Sequence, residues 1–117
     1  MTSKSTFAAW DVVIVPFPFT DRAAEKRRPA LVLSGAAAFN TEAGHSVLAM
    51  ITSIKDERQG WPLDTPITDF ATAGLPAPSL TRMKLFTLDH RLILRKAGRL
   101  ATRDQAAMKR ALKKLLG

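Results

Sequence analysis

Two apolar runs on either side of a polar, basic loop constrain this chain more than any other feature. Residues 11–34 read DVVIVPFPFTDRAAEKRRPALVLS. The β-branched and aromatic residues over 12–19 favour a pleated, half-buried strand. Residues 20–26 (TDRAAEK) are polar and too few for an independent helix, so they predict a loop. Residues 29–34 (PALVLS) supply a second strand, which Gly35 breaks. Pro16 and Pro18 lack the N–H that a ladder needs, and they fall on the same side of the first strand. They predict a sheet edge or a strand end at that point. The basic tripeptide Lys26-Arg27-Arg28 is thereby expected at the mouth of a hairpin, a natural place to meet a phosphate.

The rest of the chain continues in short apolar pieces. Residues 1–9 form a polar arm. Residues 36–44 (AAAFNTEAG) predict one helical turn, ended by Asn40 and Thr41. Strands are expected over 45–53 (HSVLAMITS), 61–68 (WPLDTPIT), 79–88 (SLTRMKLFTL) and 91–95. A charged turn at 55–60 and a small-residue loop at 71–78 separate them. Met108, Ala111, Leu112, Leu115 and Leu116 repeat at helical spacing and predict a final amphipathic helix over 103–116. Thr102 and Gln105 fit a capping box at its start. Many short strands followed by one amphipathic helix predict a single domain over 1–117. Its class is mainly β with α: a small SH3-like antiparallel barrel, or curled sheet, with the helix packed on it.

Composition narrows the partners. The 117 residues carry a formal net charge of +8, which favours an anionic partner such as nucleic acid or an acidic protein. There is no cysteine, which excludes disulfides and thiolate metal sites. The two histidines, His45 and His90, are far apart in sequence, so no zinc site is expected. No apolar run approaches the ~20 residues of a membrane span, and the N-terminus lacks the apolar core of a signal peptide. A cytoplasmic protein with no cofactor and no membrane association is the expectation.

The sequence holds no Gly-rich phosphate loop, no HExxH and no GxSxG, and no carboxylate pair stands near a histidine. Arginine, hydroxyls and backbone remain as the chemical groups. Arg28 stands out because Pro29 fixes the backbone beside it. A guanidinium can grip a phosphate with two hydrogen bonds and neutralise charge developing on it. A structural ion pair with Asp11, Asp21 or Glu25 is the competing role. Thr52 and Ser53 end the third strand, where hydroxyls can hydrogen-bond a phosphate oxygen or simply be strand-end polarity. Antiparallel pairing of the second and third strands would set Arg28 and Thr52 on one edge.

In that order, DVVIVPFPFTD, KRRPALVLS, MITS, GWP, KLFTLD and the terminal helix resemble the MazF/PemK-like toxin family over residues 10–116, leaning to its PemK-like branch. The resemblance implies a homodimeric toxin of a type II toxin–antitoxin system, neutralised by a cognate antitoxin that the basic charge predicts to be acidic. It implies a metal-independent endoribonuclease on single-stranded RNA, in which the ribose 2′-OH attacks the adjacent phosphate. The ends would be a 2′,3′-cyclic phosphate and a 5′-OH. The family's catalytic arginine and threonine fall on Arg28 and Thr52. Phe17 and Trp61 are aromatic groups able to stack bases, and Phe17 also shares a face with core residues Val13 and Val15. Thr20, Arg27, Ser53, Lys55, Arg82 and Lys84 complete the expected RNA contacts. The chain departs from the family pattern at Trp10, where glycine is usual, and at residues 78–82 (PSLTR). Two other readings stand beside it: a CcdB-like gyrase-poisoning toxin of the same fold, and a non-catalytic nucleic-acid-binding barrel.

Overall fold

The computed structural model describes residues 6–17, 26–54 and 60–117. Strands β1 (Asp11–Phe17), β2 (Lys26–Val32), β3 (His45–Ser53), β4 (Thr65–Ile67), β5 (Ser79–Asp89) and β6 (Arg95–Arg99) form one antiparallel sheet. Their order is β4-β5-β3-β2-β1-β6, curled into a half-barrel, with the C-terminal helix Thr102–Leu116 packed on it. This is the class the sequence predicts.

The three central strands are buried on both faces, which is why they read as near-continuous apolar runs. On the helix side, Val12, Leu31, Ala49 and Ile51 pack with Leu75, Leu100 and Met108. On the other face, Val13, Val15, Ala30, Val32 and Leu48 pack with Leu88 and Ile93. Each fully buried Val, Leu or Ile contributes about 1.5–3 kcal/mol, so both layers hold these strands in register.

β1 is interior in strand order, yet β6 pairs with it only from Asp11 to Ile14. Ile14 turns its carbonyl to the β6 side, where it accepts from the Leu94 N–H at 2.9 Å. By the alternation of a strand, Pro16 turns the same way, beyond the end of β6. Among the described residues no strand pairs with β1 on that side beyond Ile14, so the missing donor falls at a strand end, as the proline predicts. Pro18 lies outside the described residues.

Several boundaries differ from expectation. β2 begins at Lys26, not Pro29, because Arg28, Arg27 and Lys26 pair with Val15, Pro16 and Phe17. The basic tripeptide is strand, not loop. β4 is confined to Thr65–Ile67, since Trp61 and Asp64 close a turn in which Leu63 takes φ 66°. β6 is Arg95–Arg99, not 91–95. The Asp89 carboxylate accepts the Arg91 N–H at 2.9 Å and winds residues 90–92 into a helical turn. The C-terminal helix begins after Ala101, with no side-chain cap. Thr102 is not the cap, and the Gln105 amide donates to the Leu100 carbonyl at 2.8 Å instead.

Nor does Asn40 end the helical turn, which runs through Ala36–Asn40 into Thr41–Ala43. Its side chain is fully buried. Its Nδ2 donates to the carbonyls of Phe7 and Ser34, each at 2.7 Å, and its Oδ1 accepts from the Ser34 hydroxyl. Asn40 thus fastens the arm before β1 to the end of β2. Asn40→Asp puts an oxygen against two carbonyls and should cost about 3 kcal/mol in urea unfolding, more than removal of one hydrogen bond. A midpoint unchanged from the parent would exclude this role.

A tight crossing fixes residues 72–74 on β6. A Cβ on Gly98 would lie 2.5 Å from the Ala73 carbonyl carbon, and one on Gly74, at φ +75°, 2.1 Å from the Ala97 oxygen. Only glycines admit this backbone approach. The loop that continues from this crossing reaches the groove described next. Among the described residues, no helix is long and apolar enough to cross a membrane.

Candidate functional site

The β2–β3 ladder runs Val32↔Leu48, Leu31↔Ala49, Ala30↔Met50. Continued two residues, this register sets Arg28 across from Thr52. A groove of about 300 Å³ opens there, lined by residues 26–29 of β2, 51–53 of β3, and 75–77 with Ser79. Among the described residues its charged side chains are Lys26, Arg27 and Arg28, with no carboxylate. Sequence reading found Arg27, Arg28, Thr52 and Ser53 in this groove. Lys26, singled out with them in the basic tripeptide, lies there too; residues 75–77 and Ser79 were missed. The signal for 75–77 was the stiffening of a small-residue loop by Pro76 and Pro78, which reads as a plain connection without the Gly74–Gly98 crossing.

Arg28 is half-buried, and its Nε is buried with no hydrogen-bond partner among the described residues. The ion pair with Asp11 does not form. Asp11 is 3% exposed and is taken by Arg99 at 3.0 Å, Lys96 at 3.1 Å and the Ala8 N–H at 2.9 Å. Asp21 and Glu25 lie outside the described residues. The Arg28 guanidinium instead stands over the Phe17 ring, 5.5 Å from its centroid. Phe17 pairs with Lys26, so Arg28 is its diagonal neighbour, within reach of a long side chain.

Lys84 approaches the same ring, its Nζ 5.8 Å from the centroid. It gets there through a bulge. Ala49 pairs with Leu85 and Met50 with Arg82, so Met83 and Lys84 are extra residues on β5. Met83 packs on the helix-side core, while Lys84 is exposed and turned to Phe17. Bulges re-aim side chains in this way beside functional sites.

Trp61 and Arg82 form a separate unit. Trp61 is exposed, and the Arg82 guanidinium stands 5.3 Å from its centroid. Arg82 grips Asp64 with two hydrogen bonds, 3.1 and 2.9 Å long. Burial alone would raise the Asp64 carboxyl. Hydrogen bonds from Arg82 and the Trp61 N–H, with the Arg82 charge, outweigh it and hold Asp64 below the ordinary carboxylate range. Among the described residues, Arg82 is therefore engaged by a carboxylate, unlike Arg28 and Lys84. Thr20 and Lys55 lie outside the described residues.

A larger cavity, about 850 Å³, opens at the other end of the sheet among His45, Asp89, His90, Arg91, Arg95 and Lys96. Among the described residues its two carboxylates are already occupied. Asp11 is held as above, and hydrogen bonds from the Arg91 side chain and N–H lower Asp89 to about 2. Burial, then the His45 charge, holds His90 below the usual imidazole range, and its Nε2 sits 2.7 Å from the buried Ser46 hydroxyl. Thr52 is seven residues along β3 from His45, about 23 Å at 3.3 Å per residue. The two histidines thus stand apart from Arg28 and Thr52.

Residues 8–116 match the family described as PemK-like, MazF-like toxins of type II toxin–antitoxin systems. The chain belongs to this toxin family. Among solved structures, MazF in a MazE–MazF complex from Deinococcus radiodurans is 25% identical with a TM-score of 0.74, over 97% of this chain and 98% of that one. MazF from the same organism without MazE is 26% identical, with a TM-score of 0.72 over 97% and 99%. An endoribonuclease in complex with its cognate antitoxin, from a mycobacterial species, shares the fold at 14% identity and a TM-score of 0.73, over 97% and 96%. No curated protein matches the sequence.

Within the toxin fold, the departure at Trp10 has a visible geometry. Trp10 takes φ 78°, the left-handed region in which a side chain costs about 1–2 kcal/mol. Its N–H donates to the Val32 carbonyl at 2.7 Å, and its carbonyl accepts from the Leu100 N–H at 2.9 Å. The indole packs on the helix-side core, with the Lys109 ammonium 5.8 Å from its ring. Packing offsets a backbone conformation that suits glycine.

Proposed function

We propose that this toxin is an endoribonuclease that cuts single-stranded RNA without a metal ion, in the groove between Arg28 and Thr52. One observation carries the reading. An arginine whose Nε is buried and unpartnered shares one groove with Thr52, and among the described residues that groove holds cations and no carboxylate. Such a site is prepared for an anion and lacks one of its own.

The ribose 2′-oxygen attacks the adjacent phosphorus, the O2′–P bond forms and the P–O5′ bond breaks. The 2′-OH proton is released, the 5′-oxygen takes up a proton, and the ends are a 2′,3′-cyclic phosphate and a 5′-OH. DNA lacks the nucleophile and stays intact. Arg28 stabilises the extra negative charge on the equatorial oxygens as the pentacoordinate phosphorus forms. Thr52 donates a hydrogen bond that orients the phosphate. Arg27, Ser53 and Lys84 contact the RNA around it. His45 and His90 are too far along the sheet to move these protons within one protomer. Positioning and electrostatics carry most of the rate.

The partners follow from the same groove and the +8 charge. An acidic cognate antitoxin covers the basic site, as antitoxins accompany the toxins of the similar complexes. The toxin acts as a homodimer in the cytoplasm.

The test is incubation of the folded, antitoxin-free protein with a long single-stranded RNA in EDTA. The expected products carry 2′,3′-cyclic phosphate and 5′-OH ends, and a DNA of the same sequence survives. Intact RNA would overturn the reading. Salt-dependent RNA binding would then indicate a non-catalytic barrel, and inhibition of gyrase supercoiling a gyrase poison.

A further inference from the structure

We propose that Phe17 is a positioning residue whose ring gathers Arg28 and Lys84 into a preassembled two-cation cradle for one phosphate. The inference rests on the groove being the RNA-cleaving site, and it adds what sets the cations in place.

Three observations converge. The Arg28 guanidinium carbon is 5.5 Å and the Lys84 Nζ 5.8 Å from the same ring centroid, both inside the range of a cation–π attraction. Neither cation has a carboxylate partner among the described residues, whereas Arg82, Arg91, Arg99 and Lys96 each have one. Two like charges held near one ring repel each other, and an anion drawn to both relieves that repulsion. Third, Lys84 reaches the ring only because of the β5 bulge, which places a residue from the far side of the sheet over β1. A regular ladder would leave Met83 and Lys84 paired along β3.

An aromatic ring does here what a carboxylate does at Arg82. A carboxylate would hold the guanidinium just as firmly, but it would spend the positive charge. The quadrupole of Phe17 orients the cation and leaves its N–H groups for the substrate. Arg28 therefore enters the reaction with its charge intact and its rotamers already restricted, which lowers the reorganisation needed as charge develops on phosphorus.

The test compares Phe17→Leu and Phe17→Met, which keep an apolar side chain, with Phe17→Tyr, which restores the ring. Thermal unfolding first establishes that each variant is folded. The leucine and methionine variants should lose about tenfold to a hundredfold in kcat with KM little changed, the scale of a misplaced catalytic group. The tyrosine variant should recover most of it. Independently of any cleavage, the Arg28 Nε–H resonance in the RNA-free protein should move away from its ring-shifted position in Phe17→Leu and return in Phe17→Tyr. A loss confined to KM, with altered base preference at the cut, would make Phe17 a base-stacking platform and overturn the proposal. An Arg28 resonance unmoved by Phe17→Leu would also overturn it, even if the wild-type protein left RNA intact. Intact RNA with a moved resonance would sink the ribonuclease reading and leave the positioning of Arg28 by Phe17 standing.

Discussion

Arg28→Ala should reduce RNA cleavage at saturating substrate by about 10²–10³-fold, or roughly 2.7–4 kcal/mol of barrier. The fold should survive it. Arg28 makes no ion pair among the described residues, and its Nε is already buried without a partner. Removing it discards an unmet polar group and gives up the contact with the Phe17 ring, two opposed effects, so the unfolding midpoint should change little. Arg28→Lys should recover little. An ammonium is a point charge without the planar fork that grips two phosphate oxygens. Single-turnover cleavage of a short labelled RNA checks both variants. A rate within tenfold of wild type for Arg28→Ala would remove Arg28 from the reaction.

Asp104→Ala should be the most damaging change for stability, at about 3 kcal/mol or more by urea unfolding. Asp104 is 2% exposed. Its Oδ1 accepts from the Thr68 N–H at 3.0 Å and the Thr68 hydroxyl at 2.7 Å, and its Oδ2 from the Asp69 N–H at 3.0 Å. Alanine strands two backbone donors and a hydroxyl, at about 1–3 kcal/mol for each buried group left unmet. Asp104→Asn should fall between, since its amide oxygen can still serve Thr68 while its NH₂ faces the Asp69 donor. Equal stability of Asp104→Ala and wild type would show that water serves these donors.

Much of the fold is legible in the residues because the strands are buried on both faces. Residues 45–53 are bounded correctly, since a mostly apolar run follows Gly44 and ends shortly before the charged segment at 55–60. The final helix is legible from its stripe, and Met108 and Ala111 are indeed buried. Leu115 and Leu116 continue the stripe but are exposed, because the stripe enters the core at its other end through Asp104. No periodicity argument assigns a carboxylate to an apolar face. Asn40 was hidden for the same reason. A residue type that usually ends helices was bonded across the chain to Phe7 and Ser34.

Local sequence also fixes Arg28 as a candidate, but not its surroundings. The facing of Arg28 and Thr52 needs the register of two strands separated by a helical turn. The approach of Lys84 to Phe17 needs a bulge, and nothing in the string SLTRMKLFTL marks where two extra residues will be accommodated. Arg82 and Lys84 look equivalent in that string. One is bound by Asp64, the other is turned to a ring, and only the third dimension distinguishes them.

A groove that is to cut RNA must admit a long, flexible polymer, which favours a sheet left open at that end. An uncovered strand is also an invitation to strands of other molecules, which add to a bare edge by hydrogen bonding and begin aggregates. Pro16 separates the two demands. At the place where β6 stops and β1 runs on toward Phe17, the outward position carries a pyrrolidine ring instead of a donor. A nucleic acid, which docks through charge and stacking, loses nothing by this. A stray β-strand finds a broken template. Among the described residues, one imino acid thus keeps the free end of a strand from becoming an adhesive one.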